Sequence, residues 1–163
     1  MPDVLFAPWR YEYLVSDKQD GCIFCEAAAS SDDAERLIVF RGKRVFVLLN
    51  RYPYTNGHVM VAPYAHEKWL SDSSGETLSE LITLVVRAQR VLVSAYKTDG
   101  LNVGINFGSA AGAGVANHYH VHVVPRWAGD TNFMTVTAGV RVLPEELGET
   151  RRRLAPLFAE GAA

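Results

Sequence analysis

The chain has 163 residues, 48% of them apolar and 21% charged, the proportions of one ordinary globular domain able to bury a sizeable core. Its net charge of −2 gives no electrostatic case for wrapping DNA or RNA, whose binders carry a basic face, although a local basic pocket for one phosphate chain is left open. The opening Met1-Pro2-Asp3-Val4 lacks the basic and apolar segments of a secretory signal, and the apolar run from Leu81 is broken by Arg87 and Arg90, well short of a membrane span. A cytoplasmic location, with neither membrane nor nucleic acid as partner, is the expectation.

Residues 1–20 mix Trp9, Tyr11 and Tyr13 with charges and read as an arm that packs on the domain. The two cysteines follow in Cys22-Ile23-Phe24-Cys25. Two thiols this close do not staple a small secreted scaffold; a redox pair, half of a metal site and two incidental thiols are the readings left. Ala27 to Ala34 suits a short helix or loop. Three strands are predicted next, over Leu37–Phe40, Val45–Leu49 and His58–Ala62, with a hairpin turn at Arg41-Gly42-Lys43-Arg44 and Pro63 closing the third.

The clearest helix runs from Gly75 to about Lys97. Leu78, Leu81, Ile82, Val85, Ala88, Leu92 and Tyr96 recur at three- and four-residue spacing, Ser74 or Asp72 can cap its start, and Asp99-Gly100 ends it. Leu101–Phe107 reads as a strand, followed by a loop of small residues from Gly108 to Gly114. A fifth strand is predicted over His118–Val124, stopped by Pro125. The last helix is predicted over Leu143–Phe158, limited by Pro156, with Arg151–Arg153 on a solvated face. Strands, one long helix, then further strands give an α+β class with a mainly antiparallel sheet.

His118-Tyr119-His120-Val121-His122-Val123-Val124 is the most informative stretch, holding three of the five histidines. Side chains alternate along a strand, so the histidines share one face while Tyr119, Val121 and Val123 take the other. An exposed polar face would be served equally by Ser, Thr or Lys. A metal site suits one histidine with outside ligands better than all three, since the outer two stand about 13 Å apart on an extended strand. The third reading is nucleophilic catalysis, for which a neutral imidazole is competent near neutral pH. Asn106, Gly108, Ser109, Gly112 and Gly114 precede the stretch, and their side-chain-poor backbone can approach phosphate oxygens closely.

These residues resemble the histidine triad superfamily of nucleotide hydrolases and transferases, whose signature is His-x-His-x-His followed by two apolar residues. His118, His120, His122, Val123 and Val124 fit it. The likeness extends to Asn106-x-Gly108, to Gly57–Pro63 and to Cys22–Cys25, so it spans roughly residues 20–127. It implies a single domain over 1–163, with an N-terminal arm and a C-terminal helical tail around a five-stranded sheet. Pro8-Trp9-Arg10 and the segment from Pro125 to Met134 are similar to bacterial members related to diadenosine tetraphosphate phosphorylases.

The resemblance implies a two-step reaction. His120 attacks the α-phosphorus, a nucleotidyl-histidine forms, and water or inorganic phosphate releases the nucleotide. A neighbouring backbone carbonyl would set the tautomer of His120, and His122 would contact the phosphate or leaving oxygen. Asn50 matches a ribose-binding position and Asn106 a polar residue near the phosphates, with Ser109 and Gly114 as further donors. It also implies a structural zinc held by Cys22, Cys25, His66 and His118, and a homodimer or higher homo-oligomer. Many hydrolytic members carry Gly-Gln in the glycine loop; Gly112-Ala113-Gly114-Val115 lacks the glutamine, which points towards phosphorolysis. Cleavage of adenosine phosphoramidates and a non-catalytic nucleotide sensor are the alternatives. His58, at a strand start, reads as structural, and Trp127 and Phe133 as packing or interface groups.

Overall fold

Why the histidine face ends up shielded follows from how the strands stack. The computed structural model of the protein describes residues 21–130 and 145–160; the arm at 1–20 and the stretch holding Phe133 lie outside them. The described elements are α1 (Ile23–Ala29), β1 (Ile38–Arg41), β2 (Val45–Leu49), β3 (Val59–Pro63), α2 (Gly75–Tyr96), β4 (Gly100–Ile105), β5 (Val121–Arg126) and α3 (Leu147–Glu160). The strands form one five-stranded sheet in the order β1-β2-β3-β5-β4, and every neighbouring pair is antiparallel.

Both faces of that sheet are covered over β2 and β3, while β4 is largely exposed. Val45, Val47, Leu49, Val59, Val61, Tyr119, Val121 and Val123 form one core with Leu81, Leu84, Ala88, Val91 and Leu92 of α2 and Leu154 and Phe158 of α3. Phe46, Leu48, Met60 and Ala62, the intervening residues, pack against Phe24 and Ala27 of α1. Covering on both sides explains why β2 and β3 are continuous apolar runs. Burying a side chain such as Phe24 or Phe158 contributes about 2–3 kcal/mol.

The main helix starts as its sequence indicates, for Ser74 Oγ accepts the Thr77 backbone N–H at 3.2 Å, a cap typically worth about 1 kcal/mol. Its end also falls where predicted, just ahead of Asp99-Gly100, as Lys97 adopts a left-handed conformation with φ 49° and closes the last turn. The apolar stripe is rotated. Leu84 and Val91 are buried, whereas Ile82 is 60% exposed, since the sheet meets a narrower face than the apolar positions allow.

Two prolines behave differently from their sequence reading. Strand β5 runs through Pro125 to Arg126, with Pro125 opposite Leu101. The Pro125 carbonyl accepts the Thr55 hydroxyl at 2.7 Å on the side away from β4, and its nitrogen points the same way, so no ladder donor is lost. Helix α3 likewise runs past Pro156 to Glu160; Phe158, fully buried against the sheet and stacked on Phe40 at 6.4 Å, holds the final turn although one hydrogen bond is missing. Of the three arginines, Arg152 and Arg153 are exposed as expected and Arg151 is partly buried. Arg151 Nε donates to the Ile38 carbonyl at 2.8 Å and Arg153 pairs with Glu145, leaving Arg152 on the exposed Glu149. Among the described residues no helix is long and apolar enough to cross a membrane.

Candidate active site

The regular strand begins only at Val121, so His118 and His120 precede it, yet alternation already governs them. Tyr119, Val121 and Val123 face α2 and α3. The Phe24 ring of α1 lies 5.0 Å from His118 and 4.6 Å from His120, and His120 lies 4.7 Å from His122. The three imidazoles therefore line the face that α1 covers, as the spacing predicts.

Each ring is held differently. His120 is 4% exposed, and its Nδ1–H donates to the His118 carbonyl at 3.0 Å. That bond leaves the lone pair on Nε2, the atom able to attack an electrophile. Burial, with a smaller contribution from His122, lowers its pKa to about 4. His120 is therefore neutral at neutral pH. Burial also lowers the pKa of His122.

His58 fixes the other end. The backbone N–H of Tyr54 donates to His58 Nδ1 at 3.1 Å, which forces the proton of a neutral His58 onto Nε2. Nε2 stands 3.0 Å from His122 Nδ1, so His58 donates and His122 must carry its own proton on Nε2. His122 thereby keeps its N–H donor on Nε2. The sequence reading of His58 as merely structural missed this link. The signal was its parity: Met60 pairs with His122, and His58, two residues earlier and just before β3, keeps the same face.

Asn50 continues the α1-facing set of Phe46 and Leu48. Its Oδ1 accepts the Tyr52 N–H at 2.9 Å, and its Nδ2 stands 3.5 Å from Nδ1 of His58, the residue that contacts His122. Asn106 lies one residue beyond the Ile105–Val121 pair, level with His120. Gly104 stands opposite His122 with nothing within 4 Å of where a Cβ would be, leaving that strip open. The glycine loop turns at Gly108, with φ +76°, and Gly112, with φ +84°, both conformations that favour glycine. Its far end returns through Val115, which packs into the α1-side core. Ser109 is exposed at the start of a short 3-10 turn, and no hydrogen bond among those described joins Ser109 or Gly114 to the triad.

His118 serves a second cluster. Sγ of Cys22 and of Cys25 stand 3.2 and 3.7 Å from His118 Nδ1, and Cys25 Sγ stands 3.2 Å from His66 Nδ1. All four ligand atoms lie within 4.8 Å of one another. A tetrahedral metal bound by thiolate and imidazole would separate S and N by about 3.6 Å, so the donor set fits. His118 Nε2 donates to the Pro63 carbonyl at 2.9 Å, which frees Nδ1 for a metal, the outer-shell contact that ligating histidines ordinarily have. Burial, and then the adjacent Cys22 thiol, push the Cys25 thiol up; a bound cation is what would draw off its proton.

The family model for the HIT domain matches residues 31–129. The chain belongs to this family. A relative from Mycobacterium tuberculosis, called AP-4-A phosphorylase, is 42% identical over 164 residues, spanning 95% of this chain and 84% of its own length. An uncharacterized HIT-like protein of Saccharolobus solfataricus is 34% identical, spanning 69% of this chain and 79% of its own. Among solved structures, a Zn-bound histidine triad family protein from Mycobacterium smegmatis superposes with a TM-score of 0.69 at 30% identity, covering 86% of this chain and 94% of the other. The α+β architecture with its antiparallel five-stranded sheet is thus the fold of the HIT family.

Proposed function

We propose that this protein cleaves dinucleoside polyphosphates by transferring a nucleotidyl group to His120, with inorganic phosphate as the second acceptor. The observation that carries the reading is the His118 carbonyl on His120 Nδ1, which leaves Nε2 as a neutral, buried nucleophile. The 42% identity to a protein called AP-4-A phosphorylase supports the substrate class.

On diadenosine tetraphosphate, His120 Nε2 attacks the α-phosphorus and the bond to the bridging oxygen breaks, expelling ATP. His122, with its proton on Nε2, is suited to donate to that oxygen. Phosphate then attacks the adenylyl-histidine and ADP leaves with His120 restored. Asn50 is assigned to the ribose. Asn106, Gly108, Ser109 and Gly114 are assigned to the phosphate oxygens, where fixed donors oppose the charge that develops. The missing glutamine in Gly112-Ala113-Gly114-Val115 favours phosphate over water.

Cys22, Cys25, His66 and His118 are assigned to a structural zinc, which would supply a rigid tie between α1 and the histidine stretch and take no part in bond breaking. A homodimer is the favoured assembly. Ile82, Val86 and Val93 form one exposed apolar stripe on α2, and Val103 is exposed on the outermost strand, β4; an open edge beside an apolar stripe is a natural site for a second copy.

Product analysis on diadenosine tetraphosphate tests the reading. ADP plus ATP formed only with phosphate is expected, and AMP plus ATP without phosphate would make the enzyme a hydrolase. His120→Ala should lower turnover by at least about 10³-fold while the fold and nucleotide affinity survive. If the wild type binds but never converts nucleotides or adenosine phosphoramidates, the catalytic reading fails.

A further inference from the structure

The short stretch before α3 carries a carboxylate with an unusual number of partners. Glu145 Oε2 accepts the Tyr96 hydroxyl at 2.7 Å, the Thr150 hydroxyl at 2.9 Å and the Asn56 amide at 3.3 Å. Its Oε1 accepts Arg153 Nε and Nη2 at 2.9 and 2.6 Å. Its side chain is only 13% exposed. Burial alone would push this carboxyl up, but the bonds from Tyr96, Arg153 and Thr150 outweigh it and hold Glu145 below its ordinary value. A surface helix cap needs far less than this, and besides Tyr96 of α2 one further donor comes from a distant part of the fold.

That donor, Asn56, lies in the loop joining β2 to β3. The same loop presents the Tyr54 N–H that sets the proton on His58 and, through it, on His122. Next to Asn56, Gly57 has φ +76° and approaches the Tyr96 ring so closely that a Cβ would meet Cε2 at 2.8 Å. The loop is therefore gripped at two consecutive residues by the Tyr96–Glu145 pair. At its end, His58 N donates back to the Thr55 carbonyl at 3.3 Å, so the grip is passed on through a tight turn.

We propose that Glu145 is a positioning residue for the triad: its carboxylate, through Asn56 and Tyr96, fixes the turn whose Tyr54 N–H dictates the tautomer of His58 and thereby the proton that His122 presents. The C-terminal segment is thus coupled to the chemistry without touching substrate. The inference rests on the catalytic reading only for its effect on turnover, while its effect on the imidazoles stands alone.

The test uses the full-length, metal-loaded protein. Nitrogen NMR of the imidazoles is recorded for wild type, Glu145→Ala, Asn56→Ala and, as a control, Phe158→Leu, which loosens α3 without reaching the loop. Wild type should show His122 protonated on Nε2. Asn56→Ala and Glu145→Ala should mix the tautomers of His58 and His122 and leave His120 unchanged. Turnover should fall on the order of tenfold, mainly in kcat. Unchanged His58 and His122 signals in Asn56→Ala overturn the proposal. So does an equal change in Phe158→Leu at a matched loss of Tm, because Glu145 would then act only by docking α3. The imidazole signals decide the matter even if dinucleoside polyphosphates are not the substrate, and Asn56→Ala serves should Glu145→Ala fail to fold.

Discussion

At one end of the histidine stretch, His118 is fully buried, with Nε2 on the Pro63 carbonyl and Nδ1 beside two thiols. At the other end, His122 is half-buried, with Nδ1 on His58 and Gly104 opposite it on β4. The same residue type, on the same face and four positions apart, has been given opposite surroundings. One ring joins α1's thiols to the sheet; the other is left with its proton on Nε2 by His58. What distinguishes them is the second contact of each ring, since a neutral imidazole has one donor and one acceptor and fixing either decides the other.

If the His118 end is structural, removing metal should affect stability more than any single contact does. Chelation of the loaded protein is expected to cost several kcal/mol, read as a large fall in Tm that added zinc reverses. Equal Tm with and without chelator would dissolve the contrast between the two ends.

The central ring makes a pH-dependent prediction. His120 has an ordinary pKa of 6.5 when unfolded and about 4 when folded. Between those values the unfolded chain takes up a proton that the folded one refuses. The stability contribution is therefore complete above about pH 6.5 and declines as pH falls towards 4, by on the order of 3 kcal/mol. Urea titrations at pH 7 and pH 4.5 check the sign, and His120→Ala should flatten the dependence.

The smallest effect belongs to the His122 end. His58→Ala should reduce kcat about tenfold, roughly 1.4 kcal/mol in the barrier, with KM changed less, because it unsettles the proton on His122 and leaves the nucleophile in place. A fall confined to KM would assign His58 to substrate binding and remove the tautomer argument.

Much of this was legible in the chain. Alternation from His118 to Val124 sorts imidazoles from core residues, and that sorting holds even where the strand ladder has not begun. Val45–Leu49 is a strand at its predicted limits, and Ser74 caps the helix, because periodicity, capping and turn chemistry act over a few residues. The family likeness groups Cys22, Cys25, His66 and His118, and the four do converge.

Other features needed the tertiary fold. Ile82 and Leu84 look equally apolar in sequence, and only the seat of the helix on the sheet buries one and exposes the other. His58 acquires a role because β3 pairs with β5 in a register that brings it beside His122. Arg151 reads as a solvated charge until α3 docks against β1 and its Nε reaches the Ile38 carbonyl. Local sequence determined which elements form and which way their side chains point. Partners 64 and 89 residues apart, as in His58–His122 and Asn56–Glu145, were decided by strand order and helix docking, because such contacts form only when distant segments pack together.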